Sequence, residues 1–295
     1  MHFRTRGQKI FNVFNYIIVT AVALSCLLPI INTLAISFSQ PAFVAAGQVY
    51  FWPVGFTTQS YEFAISNGKF LRAFLIAIER CVLGVSINLF CMVTTAYPLA
   101  RDKSKFPHRN FFMGFYVFTM LFGGGLVPWF ILMRNLGLLN SIWALVLPLS
   151  VPVSNMAILM NFIRSLPGEL EEAGQIDGAG NFRILWSILL PVLLPSLATV
   201  GLFAFVYHWN DWFQGALFMN NPAKYPLQTY LQTLLTNFRD MLRQSGSNYY
   251  ELLQRMNEQT GRAAQLFLGL VPVLVVYPFV QKYFTTGLVM GSVKG

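Results

Sequence analysis

Charged residues are scarce in this chain of 295 residues: Asp, Glu, Lys and Arg make up 11% of it, whereas hydrophobic residues make up 55%. Soluble domains carry about 25% charged residues. The composition therefore excludes an ordinary soluble domain and predicts a protein that lies in a lipid bilayer. The net charge of +9 does not indicate a nucleic-acid-binding patch, because most Lys and Arg lie in short segments beside apolar runs.

Cysteine and histidine are also rare, with three residues of each. The cysteines lie inside apolar runs without the spacing of a metal site, so they are expected to be buried apolar residues. One histidine lies near an apolar run, whereas a membrane haem needs ligands that face one another across helices. No acid, base or metal-ligand set converges in the sequence, so we expect no catalysis, no metal and no cofactor on this chain. These residues are Cys26, Cys81, Cys91, His2, His108 and His208.

A phosphate-binding loop is missing as well. Such a loop follows the pattern Gly-x-x-x-x-Gly-Lys-Ser/Thr. The glycine cluster Gly123-Gly124-Gly125 is followed by Leu126 and Val127 and has no such lysine. The chain is therefore predicted not to hydrolyse ATP.

Six apolar runs are long enough to span a membrane, since a helix needs about 20 apolar residues to cross a hydrocarbon core about 30 Å thick. The first run is too long for the apolar region of a signal peptide, so we expect it to remain as the first span. Prolines inside the runs predict kinks. The runs are Phe14–Phe38, Ala73–Ala100, Phe111–Met133, Ile142–Ile163, Ile184–Trp209 and Ala263–Tyr283. The prolines are Pro29, Pro98, Pro128, Pro148, Pro152, Pro191, Pro195, Pro272 and Pro278.

The Lys and Arg content of the short connections predicts the orientation of these spans. Both termini, residues 101–109 and residues 164–183 carry basic side chains and are expected to be cytoplasmic. Residues 39–70 and a long loop, residues 210–262, are then extracytoplasmic. No repeat or linker divides the sequence, so residues 1–295 are predicted to form a single domain.

Apolar residues recur at helical spacing within the long loop. The pattern predicts amphipathic helices at residues 230–242 and 249–256. They could pack on the bundle or contact a docking protein.

A polar, acidic loop, residues 165–183, separates the fourth and fifth runs. Ser165 and Pro167 lie where a helix would begin, and the glutamates that follow suit the positive end of a helix dipole. The pattern predicts a short helix over Glu169–Ile176, ended by the left-handed backbone that Gly178 permits. A rigid helix joined to two spans can transmit a push from a cytosolic partner. Small residues that would let a partner approach are Ala173, Gly174 and Ala179.

One motif in this loop extends into the fifth run. It consists of Glu172-Ala173-Gly174, then Gly178 after three residues, then Ile188-Leu189-Leu190-Pro191 after nine more. The motif resembles the coupling loop of bacterial ATP-binding-cassette (ABC) importers, whose pattern is Glu-Ala-Ala, three residues, Gly, nine residues and Ile-x-Leu-Pro. Gly174 departs from the pattern, since the family has a second Ala there.

The resemblance implies an all-α integral membrane protein with six transmembrane helices and the type I importer fold. It implies a non-catalytic permease in the bacterial inner membrane, with a homologous second permease, two ATP-binding subunits that hold ATP and Mg, and an extracytoplasmic solute-binding protein as partners. It also implies that the loop contacts the ATP-binding subunit. The residues expected at that contact are Glu169, Glu172, Ala173, Gly174, Asp177, Gly178 and Ala179.

Two further motifs narrow the resemblance. The segment Phe284–Gly295 is similar to the terminal signature of the carbohydrate-uptake family that includes the maltose permease. Tyr50-Phe51-Trp52-Pro53 is similar to a segment of relatives that serve oligosaccharides, including fragments of alginate or pectin. The expected cargo is therefore a carbohydrate, with an oligosaccharide favoured.

Arg80 is a candidate pathway residue, because a charge at mid-bilayer costs about 2.5–3.5 kcal/mol on insertion scales. It would face a water-filled path or the partner permease. Alternatively, Glu79 and Arg80 form a snorkelling pair at the interface, or the helix begins at Cys81.

Trp209, Asn210 and Asp211 are the other pathway candidates. Aromatic faces stack on sugar rings, and amides and carboxylates bind hydroxyl groups. Alternatively, these residues belong to an interfacial tryptophan belt.

Two functions from other classes compete with the importer. An ion-driven secondary transporter shows paired repeats and intramembrane carboxylates, for which Glu79 is a weak candidate. A cofactor-bearing membrane enzyme lacks the ligand and acid/base sets that it would need.

Overall fold

The computed structural model describes residues 6–66, 68–233 and 258–292, and within these ranges every regular element is a helix. In chain order they are α1 Arg6–Ser37, α2 Pro41–Ala45, α3 Gln59–Ser66, α4 Gly68–Ala100, α5 Arg109–Leu121, α6 Leu126–Asn135, α7 Trp143–Val146, α8 Val153–Ser165, α9 Glu169–Ile176, α10 Asn181–Val192, α11 Leu194–Asn210, α12 Phe213–Phe218, α13 at residues 227–233 and α14 Glu258–Ser292. Short 3₁₀ turns cover Leu147–Leu149 and Pro222–Lys224, and Ile184–Leu189 within α10 is a π-helix.

Three helical stretches are long and apolar enough to cross a membrane without a break: Ile10–Ser37, Gly68–Ala100 and Gln259–Pro278. The other three predicted spans are bent pairs of helices. The bend is 113° between α5 and α6, 50° between α7 with its 3₁₀ turn and α8, and 83° between α10 and α11. The described helices therefore give up to six spans, and the all-α membrane fold is confirmed, but the middle spans are broken rather than continuous.

The prolines differ in their effect. Pro29 and Pro98 lie inside continuous helices, as do Pro272 and Pro278 in α14. By contrast, Pro148 and Pro152 flank the break between α7 and α8, and Pro191 and Pro195 flank the break between α10 and α11. Paired prolines a few residues apart remove two backbone donors from one stretch, so the helix ends there instead of merely bending.

The chain divides into two compact units, Met1–Phe70 with Thr233–Val271, and Leu71–Gln232 with Pro272–Gly295. In the first unit, the segment after α1 is fixed to the end of that helix. Ser39 Oγ donates to the Ala35 carbonyl (2.6 Å) and accepts from the Val54 amide (3.0 Å). Asn32 Nδ2 donates to the Tyr50 carbonyl (2.6 Å). The connection that follows α1 is thus held by specific polar contacts.

The core of the second unit lies between α4, α8, α10 and α11. It contains Met92, Val93, Ala96 and Leu99 of α4, Met156, Leu159 and Met160 of α8, and Ile184, Leu185, Leu189, Leu197 and Val200 of α10 and α11. A smaller cluster packs α7 against α12 through Ala144, Leu145 and Phe218.

The start of the predicted long loop is fixed in the second unit. Asn140, before α7, accepts through Oδ1 from the amides of Asn220 (2.6 Å) and Asn221 (3.1 Å). The Lys224 ammonium donates to the Asn140 carbonyl (2.7 Å). Of the two amphipathic helices predicted farther along the loop, the second and most of the first lie outside the described residues.

Candidate functional site

Helix α9 covers Glu169–Ile176, as the sequence predicts, but it does not begin with Ser165 as its cap. Ser165 is the last residue of α8, and its Oγ donates to the Phe162 carbonyl (2.7 Å). Leu166 is extended because it precedes a proline, which ends α8 and delays the next helix. The N-cap is Gly168, whose carbonyl accepts from the amides of Glu171 and Glu172 (3.0 and 3.1 Å).

The other end of α9 is closed by a Schellman motif. Gly178 has a φ of +76°. The amide of Ala179 donates to the Gly174 carbonyl (2.9 Å), and the amide of Gly178 donates to the Gln175 carbonyl (3.0 Å). Both bonds satisfy carbonyls that the helix end leaves free. The prediction that Gly178 ends this helix is confirmed.

The residues predicted for the coupling contact lie on two different faces of α9 and of the turn that follows it. Those on the outer face are exposed, Ala179 is half-buried against the core, and Gly174 is buried. The expectation that Gly174 offers room to a partner is therefore wrong, because its open side faces this chain. The exposed residues are Glu169, Glu172, Ala173, Asp177 and Gly178.

Gly174 permits a close approach between α9 and α10. A Cβ atom at this position would lie 2.7 Å from Ile188 Cδ1 and 3.2 Å from Ile184 Cγ1. Both isoleucines belong to the π-helical part of α10. In this chain Ile188 fills the space that the methyl group of an alanine would occupy.

Arg101, directly after α4, joins three elements. Its Nη2 lies 3.2 Å from Glu171 Oε2 of α9, and its Nη1 donates to Asn181 Oδ1 of α10 (3.1 Å). Its guanidinium also donates to the Tyr97 hydroxyl and lies 4.4 Å from the centre of that ring. Lys105 Nζ lies 3.7 Å from the same Glu171 oxygen. The ion pairs hold α9 against the end of α4.

Two more arginines satisfy the last carbonyls of α4. Arg109 Nε donates to the Leu99 carbonyl (2.9 Å), and Arg164 Nη2 donates to the same oxygen (3.3 Å). Cations at a helix C-terminus also suit the helix dipole. The basic residues predicted to share one side of the membrane with the acidic loop therefore meet at one end of the second unit.

Two large apolar side chains at the end of α9 and shortly after it were not predicted from the sequence as contact residues. Ile176 is 86% exposed and Phe182 is 75% exposed. Ile176 ends α9, and Phe182 lies at the start of α10. Exposed apolar residues next to a charged surface are typical of protein–protein contacts. The sequence pattern could have indicated both residues, since each stands among polar residues outside the apolar runs.

Arg80 is fully buried in the middle of α4. Its guanidinium donates to Asp211 Oδ2 (2.5 Å), to the Asp211 carbonyl (2.8 Å) and to Gln214 Oε1 (2.9 Å). The alternatives of a snorkelling side chain and of a helix that begins at Cys81 are both wrong. Within this chain Arg80 fastens α4 to the junction of α11 and α12, whereas Glu79 is exposed.

The other three pathway candidates lie around this junction. Trp209 is 2% exposed and packs edge-on against Phe74 with ring centres 5.9 Å apart. Asp211 caps α12, accepting through Oδ1 from the amide of Phe213 (3.0 Å). Asn210 is exposed.

A second buried polar cluster joins α4, α11 and the broken span α7–α8. Asn88 Nδ2 donates to the carbonyls of Leu149 (2.6 Å) and Ser150 (3.0 Å), and Asn88 Oδ1 lies 3.0 Å from His208 Nε2. Asn88 therefore satisfies carbonyls that the break before Pro152 leaves without helical partners. Asn88 could not be identified from the sequence, because one amide in an apolar run carries no positional signal.

A large cavity of about 880 Å³ lies between α4, α11 and residues 272–276 of α14. Its wall includes Phe74, Val85, Phe205 and Val275, and Ser86 supplies a polar side chain. A sugar needs several hydrogen-bonding groups around its hydroxyls. This wall is suited to apolar contacts and not to a carbohydrate.

The described residues thus combine up to six apolar spans, three of them bent, with a short acidic helix between the fourth and fifth. Residues 94–289 match the family of binding-protein-dependent transport system inner membrane components. The chain belongs to this family.

Individual relatives match over nearly the whole chain. Protein LplC of Bacillus subtilis is 37% identical over 295 residues, which is 100% of this chain and 98% of the relative. The polygalacturonan/rhamnogalacturonan transport system permease YtcP of the same organism is 34% identical over 291 residues, 98% of this chain and 99% of the relative. A solved structure of a bacterial ABC transporter involved in the import of the acidic polysaccharide alginate matches with a TM-score of 0.86, 30% identity and coverage of 96% and 100%.

Membership of this family defines the general role of the chain. The chain is a non-catalytic inner-membrane permease subunit of an ABC importer with the type I fold, and ATP is hydrolysed on a separate subunit. An importer of this family works with a partner permease, an ATPase and a binding protein. This role decides against the ion-driven transporter and the cofactor-bearing enzyme.

Proposed function

We propose that this permease carries an acidic oligosaccharide, a fragment of a uronic-acid polysaccharide such as pectin or alginate. Two relatives support this cargo. One is named for the transport of polygalacturonan/rhamnogalacturonan and the other for the import of alginate, and these polysaccharides contain carboxylated sugars. A permease named for sulfoquinovosyl glycerol, which is also anionic, is 29% identical over 95% of this chain. The proposed cargo class is therefore a short, negatively charged sugar chain.

The coupling to ATP hydrolysis runs through α9. The observation that supports it is the division of this helix into a fixed face and a free face. Glu171 and Gly174 are held by Arg101 and Ile188, whereas Glu172 and its neighbours on the outer face are exposed. A push on the outer face is transmitted to α4 and α10 because the inner face cannot slide on them.

In this mechanism, closure of the ATPase dimer around ATP and Mg moves α9, and the bundle alternates between inward-facing and outward-facing states. The ATPase meets the exposed residues of α9, with Ile176 and Phe182 as apolar contacts at its edge. ATP and Mg are bound by the partner, and this chain carries no cofactor. Asn210 lines the path of the sugar.

The orientation that fits this mechanism puts α9 and both termini in the cytoplasm. The clustering of Arg101, Lys105, Arg109 and Arg164 with α9 supports it, because basic residues in short loops stay on the cytoplasmic side. The described parts of the two longer connections, residues 39–66 and 210–233, are then extracytoplasmic.

Uptake in proteoliposomes tests the proposal. The chain is reconstituted with its second permease, ATPase and binding protein, and labelled trigalacturonate is compared with a neutral trisaccharide. We expect ATP-dependent uptake of the acidic sugar to be faster by about tenfold or more, equivalent to about 1.4 kcal/mol. Equal rates for the two sugars would refute the acidic cargo, and uptake without ATP would refute the importer.

Charge reversal on α9 tests the coupling. Glu172→Lys is expected to leave the permease in the membrane but to abolish the stimulation of ATP hydrolysis by the loaded binding protein. Asp102→Lys is the matched control, since Asp102 is also exposed but lies in the α4–α5 connection. Normal stimulation in both variants would count against α9 as the coupling element.

A further inference from the structure

A second cavity, of about 420 Å³, opens between the end of α4 and the start of α10. Its size falls within the roughly 300–1,000 Å³ of ligand sites. Residues in its wall include Thr94, Pro98, Arg101, Lys105, Leu185 and Trp186. The coupling mechanism assigns no ligand to this cavity.

The charged side chains of the cavity wall lie at one end, where Phe106 and Phe182 also contribute, and the other end carries no charge. Arg101, Lys105 and Asn181 lie where α4 ends and α10 begins. Pro98 and Trp186 lie about one turn deeper along the two helices. Such a gradient suits an amphiphile whose polar group lies at the end near α9.

The charge in the wall is positive. Two cations, Arg101 and Lys105, share the single carboxylate of Glu171. Lys105 is 45% exposed, and its ammonium is 3.7 Å from that carboxylate, so it remains available at the mouth of the cavity. The ligand is therefore an anion.

We propose that this cavity binds the phosphodiester group of an anionic phospholipid from the leaflet on the α9 side. The phosphate lies between Arg101 and Lys105, and the glycerol and the start of the acyl chains follow the wall towards Pro98 and Trp186. A basic pocket between membrane helices at the cytoplasmic surface suits such a headgroup. A free phosphate would satisfy the cations but would leave the apolar end unfilled.

Through this site, the lipid composition of the membrane can affect the transport cycle. Arg101 contacts both the cavity and Glu171 on α9. A lipid phosphate at Arg101 therefore acts on the side chain that holds the coupling helix in place.

Native mass spectrometry of the assembled transporter tests the site. The complex is exposed to phosphatidylglycerol or to phosphatidylcholine, and the retained lipid is counted. Wild type is expected to retain phosphatidylglycerol preferentially, and Lys105→Gln is expected to lose most of this preference. Lys103→Gln is the control, because Lys103 is exposed and lies outside the cavity wall.

A second variant fills the cavity without changing its charge. Thr94→Phe places a ring in the apolar end and is expected to reduce retention of phosphatidylglycerol as Lys105→Gln does. Equal retention in wild type and both variants would overturn the proposal. Displacement of the lipid by millimolar inorganic phosphate would reassign the cavity to free phosphate. Since lipid retention is measured without transport, either result leaves the proposed cargo untouched.

Discussion

The Arg80 guanidinium and the Asp211 carboxylate lie 2.5 Å apart, although 131 residues separate them in the sequence. Arg80 is fully buried, and the Asp211 side chain is 12% exposed. The contact joins the middle of α4 to the turn between α11 and α12, and Gln214 Oε1 also accepts from the guanidinium (2.9 Å). The Asp211 carboxylate thus compensates, inside the chain, a charge that is costly in a membrane. This ion pair therefore stabilises the packing of α4 against the turn between α11 and α12.

Removal of the guanidinium should destabilise the second unit. Loss of one partner of a buried ion pair costs about 3–5 kcal/mol, because the other charge remains buried. We expect Arg80→Met to lower the thermal unfolding temperature of the purified permease complex. Glu79→Gln is the control and should leave it unchanged, since Glu79 is exposed on the same helix.

The double variant Arg80→Met with Asp211→Asn tests whether the loss of stability comes from the interaction between these two residues. Asn keeps an oxygen for the amide of Phe213, so the cap of α12 is retained. The double variant should be more stable than Arg80→Met alone, because no uncompensated carboxylate remains. Additive losses of stability would mean that the two residues do not interact.

Asn88 is predicted to hold the broken span α7–α8 in place. In Asn88→Leu, the carbonyls of Leu149 and Ser150 and the ring of His208 lose their partner. Each buried polar group left unsatisfied costs about 1–3 kcal/mol. We expect a lower unfolding temperature and faster proteolysis near the break. Ser86→Ala, an exposed position on the same helix, is the control, and equal stability of both variants would contradict the role of Asn88.

The sequence was most informative where structure is local. The bounds of α9 and the role of Gly178 follow from charge placement and from glycine's access to positive φ, and both are confirmed. Hydropathy located the middle spans and their prolines predicted kinks, which the bends confirm, but neither signal gave the angles of 113°, 50° and 83°. The contacts of Arg80 and Arg101 join residues tens of positions apart, and no local pattern pairs them.

Two neighbouring small residues of α9 provide a paired test of its two faces. Gly174→Leu must displace Ile188, whose Cδ1 lies 2.7 Å from the position of a Cβ. Overpacking of this kind costs about 1–3 kcal/mol, so the permease itself should unfold at lower temperature. Ala173→Leu points outwards and should leave stability within about 0.5 kcal/mol, while the ATPase co-purifies less well. A lower unfolding temperature for Ala173→Leu together with weaker ATPase co-purification for Gly174→Leu would contradict the described orientation of α9.

Gly178 and Gly180 differ in backbone conformation but not in the space around them. A Cβ at either position would meet nothing within 4 Å. Gly178 has a φ of +76°, whereas Gly180 has a φ of −71°. In the left-handed region a side chain costs about 1–2 kcal/mol. Gly178→Ala should therefore strain the end of α9, and Gly180→Ala should not.

The consequence of that strain should appear in coupling rather than in membrane insertion. Gly178→Ala is expected to lower sugar uptake per ATP hydrolysed, because a frayed α9 transmits less of the ATPase movement to α10. Gly178→Pro should be more severe, since proline cannot adopt a positive φ and has no amide for the Gln175 carbonyl. The measurement is the ratio of uptake to ATP hydrolysis in proteoliposomes, with Gly180→Ala as control. Equal ratios in all three variants would show that the Schellman end of α9 does not carry the coupling.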